Sequence, residues 1–210
     1  MEQQRINLTN SKGEKVEATL LSNISPVELV NIENEWREDK RKIINQMGST
    51  INSRLESLQS LHWNWSDKAG LLKLLEVEAY GVKTGDIWQG AMLIKTASNF
   101  ARCEQDLGKP LIYIDYIETA PRNWNIKELD QVGEFRGVGP ILFQEAIRRS
   151  MKEGYGGRIG LHSLPQAEDF YAKIGMISFG RDKRKQNLVY YELSQERIKE
   201  LIMVKGSKKK

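Results

Sequence analysis

Cysteine is almost missing from this chain: Cys103 stands alone among 210 residues, which excludes an intrachain disulfide framework. Histidine is nearly as scarce. His62 and His162 lie far apart, with no cysteine at ligand spacing beside either, so no metal site is expected. Nowhere does a run of about 18 uninterrupted apolar residues occur, and the opening MEQQRINLTN lacks the apolar core of a signal peptide. A soluble, cytoplasmic protein with no membrane segment is the expectation. Charge of one sign is also in short supply. The net charge is +4, and Lys208, Lys209 and Lys210 supply three of those four units. Elsewhere basic residues interleave with Asp and Glu, which argues against the basic face of a nucleic-acid binder.

What is present is enough apolar material, 40% of residues, for one sizeable core. Ser25-Pro26-Val27-Glu28 spells a capping box with proline at the first helical position. Leu29, Ile32, Trp36, Ile43 and Met47 then follow at helical spacing, so a long amphipathic helix is expected. Ile51, Leu55, Leu58 and Leu61 suggest a second, shorter helix. Ahead of both, residues 1–24 read as a hairpin or a loose leader.

After HWNWSDKAG the period shortens. LLKLLEVEAYGV and IWQGAMLIKT read as an antiparallel pair across KTGD, ASNFARCEQDLGKP as a helix, and LIYIDYIET as a central strand. A helix follows with Ile141, Leu142, Ala146, Ile147 and Met151 on one face, then the strand RIGLHSL, the helix PQAEDFYAKIG, and the strands MISFG and LVYYELS. One strand–helix–strand unit inside a mostly antiparallel sheet makes this an α+β fold. The expected division is a leader and helical extension over 1–62, a core over 63–203 and a basic tail over 204–210.

The stretch EFRGVGPILFQEAIRRS puts glycines at a helix entrance, where unpaired N–H groups and the positive end of the helix dipole suit an anion such as phosphate. It is not a P-loop, because no Gly-Lys here precedes Ser or Thr. It fits a dinucleotide fingerprint poorly, since Leu142 stands where the third glycine belongs.

Read together, IETAP, RGVGPIL and the later Ala167, Phe170, Tyr171, Lys173 and Gly175 resemble the two signatures of the GNAT acetyltransferase superfamily. The resemblance implies a mixed, mostly antiparallel sheet flanked by helices. It also implies that the pyrophosphate of acetyl-CoA, the cosubstrate, rests on backbone N–H groups of Arg136, Gly137, Val138 and Gly139, with Ile141 where Gly or Ala is typical. The strand ending at Ile117, Glu118 and Thr119 would splay from Leu161–Ser163, freeing backbone groups of Ile117, Thr119 and Ser163 for the pantetheine arm. Lys173 joins the binding set through the second signature. Two departures stand out: Pro140 has no N–H, and PRNWNIKELDQVGE lengthens the connection before Arg136.

Acetyl transfer to an amine needs a proton acceptor, and the departing thiolate benefits from a donor. By resemblance Tyr171 is the acid. Glu118 is the first choice of base, with Asp115 on the opposite strand face and His162 as a rival. Trp124 covers an acceptor site or merely packs, the second being favoured. The acceptor, an amine on a small molecule, a protein or an aminoacyl-tRNA, is not decided by any residue. The competing reading is a catalytically silent acyl-CoA-binding or interaction module whose N-terminal helices dock a partner or a second copy through Trp36 and Trp63.

Overall fold

The computed structural model describes residues 2–48 and 58–198. Among these, nine strands form a mixed, mostly antiparallel sheet flanked by helices, as expected. Two compact units are distinguished: described residues of 1–93 with 116–143, and of 94–115 with 144–210.

In the first unit, β1 (Glu2–Asn10) and β2 (Lys15–Ser22) form an antiparallel hairpin, so the opening residues are sheet and not a loose leader. The strand order is β6-β1-β2-β3-β4, with β3 at Val77–Thr84, β4 at Ile87–Lys95 and β6 at Phe135–Arg136. The strand expected from Leu71 starts only at Val77, because Ala69–Lys73 is a 3-10 turn. Helix α1 (Pro26–Met47) begins as its capping box dictates: Glu28 N–H donates to Ser25 Oγ at 3.4 Å, and Ser25 N–H donates to Glu28 Oε2 at 2.6 Å. Its inner face buries Leu29, Ile32 and Trp36 completely. Each such side chain contributes about 1.5–3 kcal/mol by leaving water. The second helix expected over Ile51–Leu61 lies largely outside the described residues, and Gln59–His62 is a 3-10 turn.

The lengthened connection is built by internal bonds. Gln131 Nε2 donates to the carbonyls of Pro121 and Trp124 at 2.9 Å each, and Asn123 Oδ1 accepts from Phe135 N–H at 3.0 Å. Arg122 ties it to α1 through Asp39 at 2.8 Å and Glu35 at 2.9 Å. Trp124 packs with Ile43, Met47 and Ile126, and its indole donates to Thr119 O at 3.0 Å, which is the packing role.

The remaining strand order is β5-β7-β9-β8, from Ile112–Thr119, Ile159–Ser163, Leu188–Leu193 and Ile177–Asp182, with β5 belonging to the second unit up to Asp115 and to the first from Tyr116. β5 and β7 are parallel and their ladder ends at Ile114 with Leu161. The helix expected over ASNFARCEQDLGKP is only a 3-10 turn at Glu104–Asp106. There Asp106 draws the chain into local bonds, accepting from Gln195 N–H and Lys109 Nζ at 3.0 and 3.1 Å. Helix α3 (Val138–Lys152) buries Leu142, Phe143, Glu145, Ala146 and Ser150, whereas Met151, expected on that face, is exposed. Among the described residues two short helices remain: α2 (Trp65–Lys68) in the first unit, capped by Asn64 accepting from Ser66 N–H at 2.8 Å, and α4 (Glu168–Lys173) in the second.

Candidate functional site

The glycine-rich entrance is fixed from both sides within the first unit. β6 pairs with β1, Arg136 opposite Thr9, so the chain reaches α3 from a sheet edge. Gly137 then takes φ +95°, a backbone state that side-chain-bearing residues rarely adopt. Val138, 1% exposed, plugs the first turn into the core. The plug needs Gly90 on β4: a Cβ there would collide with Val138 Cγ1 and would stand 3.3 Å from the backbone carbonyl of Glu118.

An α-helix leaves its first N–H groups without intrahelical partners. Here Pro140 has none to offer, and Ile141 N–H is already bound to Gly137 O at 3.0 Å. The donors not used by the helix are therefore Val138 and Gly139. Beside Gly139 is open space bounded by Thr119 Cγ2 at 3.9 Å from where a Cβ would lie. Glycine, a helix dipole and exposed Arg136 are features that suit a phosphate group.

Glu118 lies on the same strand end, in the same unit. It is 4% exposed, so the alternative of a solvated carboxylate does not hold. Trp65 Nε1 donates to Oε2 at 2.6 Å, and the Lys40 ammonium stands 3.8 Å from Oε1. Burial pushes the Glu118 carboxyl up to about 7, against the pull of Lys40, the Trp65 and Ser60 donors and Lys68. A carboxyl that titrates near neutrality can both accept and release a proton under working conditions.

The wall around it is a set of tied charges and rings. Lys40 donates to Trp63 O at 2.6 Å, and Glu33 Oε2 accepts from Trp65 N–H at 2.9 Å. Lys68 Nζ sits 4.3 Å from the Tyr116 ring centre and 5.4 Å from that of Trp63, while those two rings meet edge to face at 5.1 Å. Burial lowers the Lys68 ammonium despite Glu118 nearby. Trp36 is fully buried, its indole donating to Trp88 O at 3.1 Å, so the docking role considered for it is excluded.

The other candidates belong to the second unit. Tyr171 on α4 is 5% exposed, its ring 5.9 Å from that of Tyr191, and burial pushes its phenol well above the usual range. Ser163 is buried and donates its hydroxyl to Leu164 O at 2.8 Å, while Lys173 is exposed. Asp115 is ion-paired with Lys95 at 2.8 Å. His162 has both ring nitrogens engaged, Nδ1 with the Tyr113 hydroxyl at 2.7 Å and Nε2 with Asp182 at 3.3 Å. Burial lowers its imidazole, opposed by Asp182.

Lys40, Ser60, Trp65, Lys68 and Gly90 were not singled out from sequence. One signal was available: Lys40 follows Trp36 by four positions and so interrupts the apolar stripe of α1 with a charge that must find a buried partner.

No protein-family profile matches the chain, and no curated protein matches it either. Solved structures do. One is a GNAT-family acetyltransferase from Listeria monocytogenes 4b F2365, 16% identical over 90% of this chain and 99% of that one, with a TM-score of 0.53. Another is FeeM, an N-acyl amino acid synthase from uncultured soil microbes, 14% identical over 85% of this chain and 90% of that one, also at 0.53. The chain has the fold of the GNAT acetyltransferases.

Proposed function

We propose that this chain is an acetyl-CoA-dependent N-acetyltransferase that modifies a primary amine by direct attack on the thioester. The observation that carries the reading is the juxtaposition at Gly90, against which both the first turn of the anion seat, Val138, and the backbone of the buried carboxyl, Glu118, close. An anion seat and a proton acceptor tuned to neutrality are what acetyl-CoA and an amine require of a protein.

In this reading the pyrophosphate of acetyl-CoA rests on the N–H groups of Val138 and Gly139, with Arg136 as its cationic neighbour. The free amine attacks the thioester carbonyl carbon, the C–N bond forms, and the excess proton passes to Glu118 directly or through water. The C–S bond then breaks. The departing thiolate takes up a proton, for which the resemblance nominates Tyr171, a phenol in the second unit that burial keeps protonated. Ile117 and Thr119 offer backbone groups to the pantetheine arm, while Ser163 and Lys173, in the second unit, are assigned to it by the resemblance alone.

The test is twofold. Titration calorimetry with coenzyme A should show binding that Arg136→Glu weakens at least tenfold. Thiol release from acetyl-CoA over a panel of primary amines should exceed hydrolysis, and Tyr171→Phe should slow it. Coenzyme A binding without release for any amine would support the silent acyl-CoA-binding module instead.

A further inference from the structure

The second unit carries a surface that acetyl transfer does not use. In β8 and the turn after it, FGRDKRKQN, four basic residues occupy five positions: Arg181, Lys183, Arg184 and Lys185, all exposed. We infer that this hairpin is a docking surface for single-stranded nucleic acid, with the cations on its phosphates and Phe179 stacked on an unpaired base.

The one acid among them does not cancel the charge facing solvent. Asp182 is turned inward: it accepts from Arg184 N–H at 2.9 Å, meets His162 Nε2 at 3.3 Å and stands 3.8 Å from the Arg102 guanidinium. Among the described residues none of Arg181, Lys183, Arg184 and Lys185 has an ion-pair partner. Arg102, half-exposed, offsets Asp182, its guanidinium 4.1 Å from the Tyr190 ring centre.

The turn is closed by its own backbone bonds. Lys185 N–H and Asn187 N–H both donate to Asp182 O at 3.0 Å, and Gln186 and Asn187 close the turn in the left-handed region, at φ 52° and 61°. The ladder shifts between Ser178, opposite Tyr191, and Arg181, opposite Val189, so Phe179 and Gly180 together face Tyr190. Such a bulge re-aims side chains, and Phe179 lies beside the cations with one side of its ring against Tyr190, centroids 5.9 Å apart, and is left 38% exposed.

Cations alone would serve an acidic protein, and an anionic lipid surface would call for a wider apolar face to insert than Phe179 and Ile177 provide. Guanidinium forks and an exposed ring side by side match a phosphate chain with open bases. A duplex, its bases already stacked, leaves the ring without a partner.

The experiment is fluorescence anisotropy of the full chain with a labelled single-stranded RNA of about 12 nucleotides, within the usual site size. Expected is binding whose log K falls linearly with log salt, and a slope reduced by about 1.4 in Lys183→Gln/Arg184→Gln, at ~0.7 per lost phosphate contact. Phe179→Ala should weaken binding roughly tenfold at unchanged slope, with circular dichroism unaltered in both variants. Lys208–Lys210 stay intact throughout. Binding that survives the double substitution would assign the effect to those lysines and overturn the proposal, as would absence of binding at low salt. So would equal affinity for the duplex, or capture by phosphatidylserine vesicles without affinity for the RNA.

Discussion

Trp65 Nε1 donates to Glu118 Oε2 at 2.6 Å although 53 positions separate the two residues. The indole offers a neutral donor to a carboxyl whose charge burial penalises, and so favours the ionised form. Trp65→Phe keeps a ring in the core and removes the donor. The Glu118 carboxyl should then titrate higher by about one to two units, the worth of one charge-assisted bond of ~1.5–3 kcal/mol. A carbon-13 NMR titration of the labelled carboxyl reads this with or without turnover.

Lys40 acts on the other oxygen through charge, its ammonium 3.8 Å from Oε1. Lys40→Met should likewise move the titration upward, and Lys40→Arg should restore much of it. In a pH–rate profile the ascending limb should follow the same order. An unmoved limb in Lys40→Met would separate the two groups electrostatically.

The same shift ties stability to pH. Folded Glu118 titrates at about 7 against an ordinary 4.5, so between those values the folded state holds the proton that the unfolded chain has lost. The contribution of Glu118 is full below pH about 4.5, declines as pH rises through about 7, and then levels off. Thermal unfolding of wild type and Glu118→Gln, compared from pH 5 to 8, should show the wild type losing more stability over that window. Parallel curves would contradict a raised carboxyl.

At the proposed anion seat, folding and binding can be separated. A Cβ on Gly139 would meet nothing closer than Thr119 Cγ2 at 3.9 Å, and an acidic residue suits a helix N-terminus. Gly139→Asp should therefore leave the unfolding temperature level or slightly higher, while raising the Kd for coenzyme A at least tenfold by calorimetry.

Gly90→Ala makes the opposite case. Its Cβ would collide with Val138 Cγ1, so the first turn of α3 must shift. Overpacking of this kind costs about 1–3 kcal/mol, readable as a lower denaturant midpoint, and coenzyme A affinity should fall with it.

Local chemistry explains what could be read from the chain beforehand. The capping box at Ser25 and Glu28 and the entrance at Gly137 are set by neighbours within a few positions, and both are where the pattern placed them. Lys40, Trp65 and Glu118 are brought together by packing, and nothing in the spacing of Trp65 announces a carboxyl so far along the chain. The helix expected near Cys103 failed for a related reason: Glu192, distant in sequence, accepts from Arg102 and Cys103 N–H groups at 2.8–2.9 Å, holding that backbone open. The basic hairpin was passed over because sequence spacing shows Asp182 among its cations but not the His162 and Arg102 that turn it inward.

The most direct test of the central claim is the pH dependence of amine-dependent thiol release from acetyl-CoA, in wild type and Glu118→Gln at saturating coenzyme. A base titrating near neutrality predicts a wild-type rate that rises to a plateau through pH about 7. The variant should be slower by ~10²–10⁴-fold and lack that limb. A variant as fast as wild type, with the same limb, would contradict Glu118 as the proton acceptor.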